Sequence, residues 1–98
     1  MRPLTTDLSR DDARPWFLWD EDLSLAEFRA RLAGDDPDER DRLLAKLLRE
    51  ANDTEVWRFV SPNDVARALP RLARRIGTRR LPFWEFLIGR WRADGLVE

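Results

Sequence analysis

From Ser24 onward the apolar residues recur at helical spacing, and each run is opened and closed by residues suited to a helix end. Ser24-Leu25-Ala26-Glu27 has the form of a capping box, in which the Ser hydroxyl and the Glu carboxylate satisfy the first free backbone N–H groups. Leu25, Phe28 and Leu32 then share one face of a helix that Gly34 can close. Asp36-Pro37-Asp38-Glu39 repeats the device with an Asp N-cap and Pro at the first helical position. The helix it opens, to about Ala51, carries Leu43, Leu44, Leu47, Leu48 and Ala51 on one stripe, opposite Arg42, Lys46, Arg49 and Glu50. Asn52-Asp53-Thr54 reads as a break, followed by a short helix over Glu55–Val60 with Val56, Trp57 and Val60 inward.

Ser61-Pro62-Asn63-Asp64 is a third start signal, for a helix bearing Val65, Ala68, Leu69, Leu72 and Ile76. Pro70 lies inside that run and is expected to kink or divide it. After Gly77 and the turn Thr78–Arg80, Pro82 starts a last helix to about Ala93, with Phe83, Trp84, Leu87, Ile88 and Trp91 as its apolar face. No segment alternates apolar and polar residues for long, and no Asn-Gly or Asp-Gly hairpin turn occurs. The expected fold is all-α: five to six short helices in a compact bundle, with antiparallel pairs like those of helical repeats and an N-terminal aromatic arm before them. Residues 1–13 are polar and read as a flexible arm, and 14–98 as a single helical domain.

Composition narrows the function more than the fold. Eighteen basic against nineteen acidic residues give a net charge of −1, so a global attraction to nucleic acid or membrane is not the default. The distribution is uneven: residues 1–55 hold 15 acids and 9 bases, residues 56–98 hold 4 acids and 9 bases. The absence of Cys and His excludes thiol nucleophiles, disulfides and ordinary structural zinc sites, and removes the usual proton-transfer side chain. No apolar run is long enough to span a bilayer, and "MRPLTTDLSRDD" lacks the apolar core of a signal peptide. The expectation is a cytoplasmic protein with no membrane association and no cofactor.

"WFLWDEDLS" imitates the start of a phosphotransferase site, in which a buried strand delivers D-x-D to a magnesium ion. That chemistry needs a parallel sheet and a downstream Lys, whereas the one Lys, Lys46, sits in an amphipathic helix. The clusters Asp20/Glu21/Asp22 and Asp35/Asp36/Asp38 lack the spacing of a calcium loop. They also precede helices, where each acid contributes roughly 0.3–1 kcal/mol by facing the positive end of the dipole. Asn52-Asp53-Thr54 matches a glycosylation sequon but reads as a helix stop. No enzyme constellation remains.

Two surfaces do remain. Trp16, Phe17 and Trp19 lie outside any predicted helix, next to Asp20 and Asp22. Either they fold back as a clasp or they dock into another protein, where Trp is over-represented among binding hot spots. In "RLARRIGTRR", Arg71, Arg74, Arg75, Arg79 and Arg80 bring five guanidiniums together that could hold phosphates, with Trp84 or Trp91 available for stacking on a base.

Phe17–Asp20, Leu44–Ala51 with Asp53, Val56–Phe59 with Ser61-Pro62, and Phe83–Trp91 together carry a resemblance. The chain resembles a group of small all-helical bacterial proteins that share an FLWD…LAKLLREA…VWRF pattern and have no assigned activity. They are often encoded beside abortive-infection-type nucleotidyltransferase toxins. The resemblance implies an antitoxin-like or accessory protein, and no functional residues carry over from it. The expected function is a non-enzymatic protein-interaction module using Trp16, Phe17, Trp19, Asp20 and Asp22. The alternative is a nucleic-acid-binding module using Arg71–Arg80.

Overall fold

Five α-helices and one very short parallel sheet make up the chain in a computed structural model that describes residues 2–98. Met1, part of the expected arm, lies outside the described residues. The elements are β1 (Leu4–Thr5), β2 (Arg14–Pro15), a 3-10 turn (Trp16–Leu18), α1 (Leu25–Leu32), α2 (Pro37–Glu50), α3 (Asp53–Val56), α4 (Pro62–Ile76) and α5 (Leu81–Ala93). Helix predominates, as the periodicity predicts. The sheet, with Leu4 opposite Arg14 and Thr5 opposite Pro15, corrects a purely helical reading. Two-residue strands are too short for any alternation to show.

Internal contacts divide the chain into two units, residues up to Leu44 and residues from Ala45. In the first unit the Ser24 capping box forms as expected: Glu27 N–H donates to Ser24 Oγ at 3.1 Å, and Ser24 N–H to Glu27 Oε1 at 3.1 Å. The residues before it complete the cap. Leu25 and Ala26 donate their N–H groups to the carbonyls of Ala13 and Asp11, at 2.9 and 3.0 Å, so the helix start is satisfied from residues 11–13. Arg29 adds an ion pair to Asp11 at 2.7 Å. Asp11 and Ala13, in the segment read as a flexible arm, are thus tied to α1 by backbone bonds. Leu8, Phe17, Leu18, Leu23, Leu25 and Phe28 are buried here.

In the second unit Asn52 is a helix start as well as a stop: its N–H donates to Glu55 Oε1 at 3.1 Å, and α3 begins one residue later. The expected helix over Glu55–Val60 therefore lies two residues earlier and is shorter. Ser61 caps α4 through Asp64, and Gly77, at φ +84°, ends it in the left-handed region that favours glycine. Pro70 does not divide α4, which runs unbroken to Ile76. Its ring faces solvent, and buried residues on both sides of it (Val65, Ala68, Leu72, Ile76) hold the helix together despite the lost N–H. Lys46 is a second correction. It is buried, where the stripe pattern places it in solvent opposite the leucines.

Trp84 organises the second unit. Its ring is buried and meets Trp57 edge-on at 5.8 Å and Phe83 at 5.0 Å. Its indole N–H donates to the Leu48 carbonyl at 2.8 Å. That carbonyl belongs to the last turn of α2, where helix geometry supplies no N–H partner. Arg49 does the same for α4, donating from Nη1 to the Arg75 carbonyl at 2.7 Å.

Candidate interaction surface

The aromatic segment after Pro15 is shaped by a residue that the pattern of apolar positions does not single out. Arg14 is buried, and its acceptors are backbone carbonyls. Nε donates to the Arg2 carbonyl at 2.9 Å. Nη1 reaches the carbonyls of Leu18 at 3.2 Å, Trp19 at 3.0 Å and Glu21 at 3.4 Å. A guanidinium is suited to this because its donors are fixed in one plane and never lose their charge. At the end of the 3-10 turn, where the Leu18 carbonyl also accepts from the Glu21 N–H at 3.1 Å, Arg14 gathers the carbonyls of Leu18, Trp19 and Glu21. One sequence signal for it exists: Arg14 is the only base in residues 11–28, which hold six acids.

This arrangement divides the aromatic residues. Phe17 is 0% exposed and packs edge-on against Phe28 at 5.4 Å. Trp16 is half-buried, with its ring 6.0 Å from Phe17. Trp19 stands out with 57% of its surface exposed, although its own carbonyl is held by Arg14. Of the three candidate contact rings, Phe17 therefore offers no surface, Trp16 part of its ring and Trp19 most of it.

The acids beside Trp19 are divided as well. Asp20 and Asp22 are exposed, and Asp22 accepts from Arg2 Nε at 3.3 Å. Glu21 turns away to Arg42 at 2.9 Å, and Arg42 also holds Glu39 at 2.7 Å. The Arg42 hydrogen bond keeps the Glu39 carboxyl below its usual range, and the two carboxylates raise the Arg42 pKa further. Asp20 follows a 3-10 turn and not a strand, so the D-x-D geometry of a phosphotransferase is not formed. Among the described residues no group of three or more acids is placed to hold a metal ion.

Glu27 closes this corner. It accepts from Arg2 Nη2 at 2.7 Å and from the Ser24 N–H, and its pKa falls from 4.5 to about 2, chiefly through the Arg2 bond and then the Ser24 cap. A folded-state pKa below the unfolded one adds stability above pH 4.5 that is lost as pH falls toward 2. Urea denaturation across that window is expected to show the loss, and Glu27→Gln to remove this part of it. An identical acid slope in the variant would contradict the assignment.

The basic stretch is spread along the end of α4 and the following turn. Arg71, Arg74, Arg75 and Arg79 are exposed, and Arg71 Nη1 donates back to the Arg67 carbonyl at 3.3 Å. Arg80 faces inward, its guanidinium carbon 5.0 Å from the Phe83 ring centre and 5.8 Å from that of Trp84. Its Nε and Nη2 are buried without a hydrogen-bond partner, so the ring faces are what it meets there. Arg80 is thus withdrawn from the proposed phosphate-holding set. Trp91 is half-buried against Trp57 at 5.4 Å, on an open groove that Arg58 and Phe59 also line.

Compared with protein-family models, curated proteins and solved structures, the chain finds no match. No helix among the described residues is long and apolar enough to cross a membrane.

Proposed function

We propose that this chain is a small, non-enzymatic protein-interaction module of the cytoplasm, with Trp19 as the anchor of its contact surface and Trp16, Asp20 and Asp22 around it. The observation that carries this reading is an exposed Trp on a backbone held by a buried guanidinium. A large ring left in solvent loses favourable burial, whereas a ring fixed in advance lowers the ordering cost of binding. The exposed acids beside it favour a basic partner surface. Phe17 is reassigned from contact residue to core. In keeping with the sequence resemblance, the partner we propose is the nucleotidyltransferase-type toxin of a toxin–antitoxin pair. Co-expression with the product of the adjacent gene is then expected to yield a complex stable to size exclusion, and clean separation of the two would count against the pairing.

A second reading has one observation in its favour. Arg74, Arg75 and Arg79 are exposed and make no ion pair among the described residues. Three unpaired guanidiniums at a helix end suit a phosphate backbone. On that reading the protein alone binds duplex DNA or RNA with steep salt dependence, and joint replacement of Arg74 and Arg75 by Ala abolishes binding.

A further inference from the structure

The outer side of α5 has no cover among the described residues. Pro82, Phe86, Gly89 and Ala93 follow one another at spacings of four, three and four residues, which is one line along a helix, and all four are exposed. Phe86 has 73% of its surface in solvent. Gly89 sits inside the helix, where glycine is unfavourable, and a Cβ added there would meet nothing within 4 Å. Nothing inside the chain requires a glycine at this position, whereas a surface approaching from outside would.

The charges flanking this line indicate what approaches. Glu85 and Arg92 lie on the same flank, both bordering the groove that Leu81 and Ile88 also line. They are seven residues apart, about 10 Å along the axis, too far to pair with each other. Glu85 is exposed and makes no ion pair among the described residues, and Arg92, also exposed, uses Nε on the Glu98 carbonyl at 3.0 Å. When two copies of one helix pair antiparallel about a two-fold axis, like flanks face each other. Glu85 of each copy then meets Arg92 of the other, so the charge match occurs twice. The same register sets each Phe86 ring over the gap between Gly89 and Ala93 of the second copy.

We propose that this face of α5 is a self-association surface on which two copies of the chain pair antiparallel, Phe86 against Gly89 and Glu85 against Arg92. It rests on residues of the second unit alone and is independent of the proposed function. A single helix pair is a small interface, so the dimer is weak and reversible.

The test is sedimentation equilibrium of the full chain from about micromolar to about millimolar concentration, which spans the weak range of association. A reversible monomer–dimer equilibrium is expected. Phe86→Ala and Glu85→Arg should each weaken it about tenfold or more. The exchange of both charges, Glu85→Arg with Arg92→Glu, should restore it. All these positions are exposed, so the melting temperature of the monomer serves as the control for folding. A monomer at every concentration, or a dimer indifferent to these substitutions, would overturn the proposal. Weakening by Glu85→Arg without rescue by the exchange would overturn the register.

Discussion

Trp84→Ala is expected to be among the most damaging single substitutions in the chain, at about 3–5 kcal/mol for truncating a fully buried large aromatic ring. Three neighbours lose their packing together: Trp57, Phe83 and the Arg80 guanidinium that lies over the ring. Arg80 Nε and Nη2 are already without hydrogen bonds, so removing the ring leaves the guanidinium with the Phe83 face alone of the two it lies over. Trp84→Phe separates the two roles of the indole. It keeps an aromatic ring but strips the Leu48 carbonyl of its donor, a cost of about 1–3 kcal/mol for a buried acceptor left without a partner. Urea denaturation of both variants checks this. A Trp84→Phe variant as stable as the wild type would mean that ring area alone matters and the hydrogen bond at the end of α2 does not.

Arg14→Met is expected to cost about 2–4 kcal/mol, since it keeps the aliphatic stem and removes the guanidinium donors from the carbonyls of Arg2, Leu18, Trp19 and Glu21, of which Leu18 keeps the Glu21 N–H. Arg14→Lys should rescue little. An ammonium has one nitrogen, and the acceptors lie on two sides of the guanidinium, Arg2 at Nε and residues 18–21 at Nη1. Hydrogen exchange is the more informative readout, because the loss should be centred on residues 2–26, where the chain closes on the start of α1. A change confined within about 0.5 kcal/mol, the range of ordinary surface substitutions, would remove Arg14 from its assigned role.

The two substitutions also show which parts of the fold the sequence makes legible. The helix starts at Ser24 and Ser61 are local: cap, partner and spacing lie within four residues, so they can be read without a structure. Trp84 is legible as a core residue because its neighbours recur at helical spacing. Its bond to Leu48 is not, because it joins residues 36 apart. Arg14 escapes for a different reason. Its partners are backbone carbonyls, which every residue has, so no side-chain pattern marks them. Lys46 and Pro70 mislead because residue type argues for an exposed site and a broken helix, and packing on either side outweighs it.

The candidate surface was half legible. Trp16, Phe17 and Trp19 are visible as a group outside the helices, but two residues of separation decide between core and solvent. Phe17 points to Phe28, and Trp19 comes after the chain has turned under Arg14. The same holds for the basic stretch, where Arg79 and Arg80 are adjacent and only Arg80 folds onto the rings.

On the proposed reading the aromatic segment divides its work, Phe17 holding the fold and Trp19 meeting the partner. The most direct measurement is size-exclusion co-elution of the Trp19→Ala variant with the co-expressed product of the adjacent gene, at a melting temperature matched against the wild type. The expected result is an unchanged melting temperature and a variant that elutes alone where the wild type elutes as a complex. A Trp19→Ala variant that still co-elutes would contradict it.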